Sequence, residues 1–287
     1  MPALHRPVST AGAASQPVAS DSLLLPRRMA PGSTTAGPPL PHQPAGGGEG
    51  DATAGNIDAD NTATAASQST TVSLIKPRLR GWLHATTAPL LGAAIIVLIC
   101  IAPGAGDKAS LAIYLACALA LFGNSAIYHI GNWSPAVKAV FRRIDHSNIY
   151  LFVAGTYTPL AVMLLTGASR ITILALIWGL AAAGVLFRIF WLTAPRWLYT
   201  IMYIVMGWTA LWWLPQFAAA GGVAVVVLIV AGGVAYSIGA VFYARKAPNP
   251  WPGWFGFHEL FHSCTVIAAW CHWVAVLLCV QAAASAA

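Results

Sequence analysis

The chain has 287 residues, 58% of them hydrophobic and only 8% charged, whereas a soluble domain carries about 25% charged residues. This composition excludes an ordinary water-soluble enzyme and points to a membrane protein. The formal charge of +7 comes without a Lys/Arg-rich block, so the basic residues read as topology signals rather than as a nucleic-acid-binding surface.

Residues 1–75 are rich in Ala, Gly, Pro, Ser and Thr, and aromatic residues are absent from them. Such a stretch buries too little apolar surface to offset chain entropy, so a disordered tail without a signal-peptide core is expected. Residues 76–284 form the expected membrane domain. Apolar stretches at about 82–102, 109–130, 145–166, 170–192, 197–217, 221–243 and 257–281 each reach the roughly 20 residues that a helix needs to cross a bilayer. Helices are expected because backbone groups in lipid must be satisfied internally. Pro89, Pro159 and Pro215 fall inside spans and are expected to kink or end helices. APGAGD, TGAS and AAAGG supply turn chemistry between spans. The predicted fold is therefore all-α with seven transmembrane helices.

Orientation follows from Lys and Arg. With the N-terminus cytosolic and the C-terminus outside, Lys76, Arg78, Arg80, Lys138, Arg142, Arg143, Arg188, Arg196, Arg245 and Lys246 gather on the inner side, and only Lys108 and Arg170 lie outside. This matches the positive-inside bias of a multi-pass protein, here expected in the plasma membrane. The aromatics of WPGWF (251–255) and RIFWLTAPRW (188–197) then fall at the inner interface as anchors. The five cysteines lie in apolar segments without a CxxC pair and read as buried side chains.

Beyond residue 60 the only acids are Asp107, Asp145 and Glu259. Asp107 falls in an outer loop beside Lys108. The other two fall at inner span ends, where an ionisable group needs a partner to offset its desolvation. The same topology brings His84, His129, His146, His258 and His262 to that face, with His272 deeper in the last span. His258 and His262, four apart in HELFH, share one helix face and can bind one ion. His129 would complete three imidazoles, the number a catalytic zinc takes while keeping one position for water. Asp145 would orient or deprotonate that water, and Ser125, one turn from His129, would hydrogen-bond the site or a substrate oxygen. Glu259 and His146 are accessory candidates. H-E-x-x-H is also the signature of zinc proteases with Glu as base, but Glu259 lies about 100° round the helix from His258.

NSAIYHIGNWSPAVKAVFRRIDHSNIYLFVAGTYTPL (124–160) resembles the second-to-third-helix region of bacterial hemolysin III proteins, which belong with the progestin and adipoQ receptors (PAQR). HELFHSCTVIAAWCHW (258–273) is similar to that family's last-helix motif. The resemblance covers about residues 76–282. It implies a seven-helix fold with a cytosol-side zinc site, in which His129, His258 and His262 are ligands and Asp145 and Ser125 are site residues. In the family the second position of H-x-x-x-H varies, which counts against Glu259 as an obligatory base. The metal constellation also resembles that of alkaline ceramidases, which implies hydrolysis of a lipid amide or ester, with membrane lipid as solvent and substrate. The alternatives are a non-enzymatic receptor-like or membrane-homeostasis protein with structural zinc and, further off, a cytolytic hemolysin. Intramembrane proteases resembling site-2 proteases carry H-E-x-x-H in an early span and a later L-D-G-like motif; here the motif is in the last span and no LDG occurs.

Overall fold

In a computed structural model, residues 77–191 and 193–286 are described. The expected tail and Lys76 lie outside the described residues. Among the described residues the regular elements are all helices, and the one β feature is an isolated antiparallel bridge between Trp251 and Phe255. In chain order the helices are α1 (Trp82–Ile101), α2 (Ala105–Ile130), α3 (Pro135–Leu164), α4 (Gly167–Phe190), α5 (Arg196–Gly207), a 3-10 stretch (Trp208–Trp213), α6 (Leu214–Arg245) and α7 (Phe257–Ala286).

Local chemistry explains where these helices begin. Asp107, expected in a loop, lies in the first turn of α2, where its carboxylate accepts the Gly104 N–H at 3.2 Å. An acid there satisfies an unpaired amide and complements the positive helix end. α3 starts ten residues before the predicted span, because Ser134 caps it, accepting from Val137 N at 3.5 Å, and Pro135 occupies the first turn. VKAVFRR (137–143) lowers the local hydropathy without interrupting the helix. Asp145 and His146 therefore sit well inside a 30-residue helix rather than at its start. α1 and α3 run on through Pro89 and Pro159, whereas Pro215 falls in the first turn of α6, directly after the 3-10 stretch.

By length and composition, six helical stretches are apolar enough to cross a membrane, and the fifth and sixth predicted spans fall within one of them, Trp197–Arg245. Hydropathy runs through this segment unbroken, but the backbone does not. Gly222 adopts φ 81°, ψ 171°, a conformation open to glycine. Across it, Trp208 Nε1 donates to Ser237 Oγ at 2.9 Å, and the Tyr199 and Tyr243 rings lie 6.3 Å apart. Residues 29 apart on a straight helix would be separated by roughly 43 Å, so the segment folds back on itself at Gly222.

α2 lies along α1 and α3, α3 along α4, and α6 along α7, with α1 closing against α7. Small residues allow the close approaches, as expected where lipid removes the hydrophobic drive between helices. A Cβ at Gly155 would stand 2.7 Å from Cys117 Cβ, one at Gly239 would stand 2.8 Å from Cys264 Cβ, and one at Gly232 would run into the His272 ring. Tyr157 satisfies the irregular stretch between α5 and α6: its hydroxyl donates to Gly207 O at 2.6 Å and accepts the Ala210 N–H at 2.7 Å. Large apolar side chains cover the outside, with Phe190 and Trp212 each 82% exposed. That surface suits lipid, not water. None of the five cysteines is paired.

Gly155→Ala is expected to overpack α2 against α3 and cost about 1–3 kcal/mol, read as a lowered thermal midpoint in detergent. Gly179→Ala, with nothing within 4 Å of the new methyl, should leave the midpoint unchanged or slightly raised.

Candidate metal centre

The three predicted ligands converge. The donor atoms of His129 on α2 and of His258 and His262 on α7 all lie within 4.8 Å of one another. The helical period accounts for the α7 pair, and the packing of α1 and α3 around α2 and α7 brings His129 to it. His258 Nε2 and His129 Nε2 are 3.2 Å apart. Imidazole nitrogens bound about 2 Å from one tetrahedral ion stand roughly 3.3 Å apart, so this spacing fits a shared metal. His262 is 2% exposed, and its Nδ1 has no hydrogen-bond partner among the described residues. A buried all-imidazole donor set of this kind suits zinc, copper, iron or nickel better than a hard cation such as magnesium or calcium.

Asp145 and Ser125 join the cluster. Asp145 Oδ2 lies 3.9 Å from His129 Nε2, and the Asp145 carboxylate is in side-chain hydrogen-bond contact with Ser125. Ser125 is 1% and Asp145 9% exposed. The carboxylate thus stands at the edge of the imidazole cluster, beside Ser125.

The two accessory candidates have other partners. Glu259 is fully buried, but its Oε1 pairs with Arg80 Nε at 2.8 Å and its Oε2 accepts the Gly256 N–H at 2.8 Å. Both oxygens thus serve the start of α7. His146 turns toward the tyrosines: its Nδ1 lies 2.6 Å from Arg142 O and its Nε2 lies 3.3 Å from Tyr243 Oη. The deeper His272 places Nε2 3.2 Å from Ile229 O.

His84 is closer to the centre than its sequence context indicates. Its ring stacks on that of His262 at a centroid distance of 3.8 Å and an interplanar angle of 11°, with Phe122 edge-on at 4.9 Å. It buttresses a ligand ring from α1. The sequence signal was only its position at the inner end of the first span, and no spacing rule links it to His262.

Two spaces meet at the centre. One is a cavity of about 90 Å3 beginning at His84, Ser125, Asp145 and His262 and running between α3, α5, α6 and α7 past Leu160, Leu214, Phe217 and Ile229. Its wall is largely apolar. Its lining comes from α2, α3, α5, the 3-10 stretch, α6 and α7, with His84 from α1. The other is a polar vestibule of about 620 Å3 bounded by His129, His258, Tyr199 and Tyr243 and by the basic side chains of Arg80, Lys138, Arg142 and Arg188. Asp145 alone lines both.

The family model described as Haemolysin-III related matches residues 72–273. The hemolysin-3 homolog of Bacillus subtilis (strain 168) is 34% identical over 175 residues, which cover 59% of this chain and 78% of that protein. Hemolysin-3 of Bacillus cereus is 41% identical over 112 residues, covering 38% of this chain and half of that protein. The human monocyte to macrophage differentiation factor is 24% identical over 161 residues, covering 55% and 64%. The last likeness fits the progestin and adipoQ receptor superfamily.

Substituting a ligand and substituting Glu259 should have different signatures. His129→Ala, His258→Ala or His262→Ala is expected to abolish stoichiometric metal binding, measured by elemental analysis of purified protein. Glu259→Gln should lower thermal stability by about 1–3 kcal/mol and leave metal content near wild type.

Proposed function

Since the chain belongs to the haemolysin-III-related family of multi-pass membrane proteins, we propose that it is a zinc-dependent membrane hydrolase that cleaves lipid amide or ester bonds. The observation that carries this reading is the position of the His129/His258/His262 cluster, with Asp145 at its edge, between a polar vestibule and an apolar cavity. A lipid with a polar head and an acyl chain has the same division. The two limbs joined at Gly222 count as separate crossings in this reading. There are then seven, with the N-terminus cytosolic, the C-terminus outside and the centre facing the cytosol from the plasma membrane.

The cavity wall takes the acyl chain and excludes water from it, while the vestibule receives the head group. His129, His258 and His262 would hold the zinc, which would supply Lewis acidity for a carbonyl and lower the pKa of a nearby water toward neutral. Asp145 accepts the proton as water adds to the carbonyl carbon and returns it to the departing amine or alcohol, leaving a fatty acid. Ser125 holds the carboxylate in the orientation this transfer needs. His84 keeps the His262 ring from rotating.

The second reading is a receptor-like protein in which zinc is structural. It draws support from the way the three imidazoles join α2 to α7. Asp145→Asn separates the two. For a hydrolase it should lower turnover of a susceptible lipid about 10²- to 10⁴-fold with zinc retained. A wild-type protein that holds stoichiometric zinc but cleaves nothing across ceramides, N-acyl amines and acyl esters would overturn the hydrolase reading.

A further inference from the structure

Arg188 ends α4 as a cation in its last turn. An arginine near a membrane interface ordinarily extends its side chain to water or head groups, yet Arg188 is only 2% exposed. Its Nε and Nη1 are buried without a hydrogen-bond partner among the described residues, and neither ion pair involves it. The guanidinium lies over the Tyr199 ring, 4.5 Å from its centroid. That contact stabilises the charge but leaves those N–H donors unsatisfied. Buried donors left unpaired cost free energy, more so on a charged group. Arg188 also lines the vestibule beside the metal centre.

The surrounding charge points the same way. Of the other cations on the vestibule wall, Arg80 is committed to Glu259, while Lys138 and Arg142 are exposed. The one acid on the wall is Asp145, which faces Ser125 and His129. Three cations therefore stand against one carboxylate, and a divalent metal would add to the excess. A guanidinium whose Nε and Nη1 donors are unpaired can donate charge-assisted hydrogen bonds to the oxygens of a phosphate or carboxylate.

We propose that Arg188 is the anchor of an anion-binding subsite in the vestibule, taking a phosphate or carboxylate group next to the metal centre. As a substrate-class statement this rests on the hydrolase reading and deepens it: the cleaved lipid carries an acidic head group, held by Arg188 while its acyl chain lies in the apolar cavity. Lys138 and Arg142 draw the anion in from the rim.

The test uses the full-length, metal-loaded protein in nanodiscs of zwitterionic lipid. Binding of hexyl phosphate, hexanol and inorganic phosphate is measured by calorimetry for wild type and Arg188→Gln. Hexyl phosphate should bind wild type about 10- to 100-fold more tightly than Arg188→Gln, with hexanol indifferent to the substitution. Hexyl phosphate binding more tightly than inorganic phosphate supports the subsite and assigns it to a lipid head group; equal affinities support it with free phosphate as the source. Equal binding by wild type and Arg188→Gln overturns the proposal, as does anion binding that disappears with the metal in His262→Ala but ignores Arg188. Should Arg188→Gln not fold, the exposed pair Lys138→Gln/Arg142→Gln should weaken hexyl phosphate about 3- to 10-fold, and no change there overturns the proposal. Binding is read without turnover. Anion binding without any hydrolysis counts against the hydrolase reading alone, and hydrolysis of a neutral lipid amide without anion binding counts against the subsite alone.

Discussion

The ion pair between Arg80 and Glu259 is one of several contacts that together hold the start of the last helix, and the histidine cluster depends on that combined placement. Glu259 is buried at the first turn of α7, and an unpaired carboxylate there would be costly. Arg80, just before α1, supplies the countercharge, and the second oxygen takes the Gly256 amide. The connection is reinforced from both sides. Asn249 Oδ1 accepts the Phe257 N–H at 3.0 Å, Arg78 N donates to Gly253 O at 3.1 Å, and the Arg78 guanidinium lies 4.7 Å from the Trp254 ring centroid. A rotation of α7 by one residue, about 100°, would carry His258 and His262 away from His129. The clamp opposes that rotation.

With α7 held, the division of labour among the helices is clear. α2 and α7 bring the imidazoles, α3 brings the carboxylate, α1 braces one ring from behind, and α4 contributes the buried guanidinium. The segment from α5 to α6 supplies shape rather than chemistry. Its 3-10 stretch and the fold-back at Gly222 make the long wall of the apolar cavity, and the Tyr157 hydroxyl takes up backbone groups there.

What could be read in the sequence was what repeats along a helix or is rare in a membrane. His258 and His262 are one turn apart, and Asp145 is one of three acids beyond residue 60. The positive-inside pattern put His129 on their side. What could not be read depends on partners far away in the chain. Glu259 and Arg80 are 179 residues apart, so local spacing could say that Glu259 lies beside the ligands but not that it turns from them. His84 and Arg188 were obscured in the same way, one as an isolated histidine and the other as a topology cation. The start of α3 was misjudged because hydropathy reports preference for lipid, whereas Ser134 and Pro135 start a helix by satisfying and shaping its backbone.

That Asp145 is the one residue common to the vestibule and the cavity also bears on permeability. The vestibule is a charged depression lined by Arg80, Lys138, Arg142 and Arg188, the kind of feature from which a leak would start in a membrane protein. Past Asp145, however, an ion meets Leu160, Phe217 and Ile229 with few polar groups to replace its hydration, and shedding water there is prohibitive. The depression ends in a plug of low dielectric. The polar depression is therefore backed by an apolar barrier rather than by a continuous polar path through the bundle.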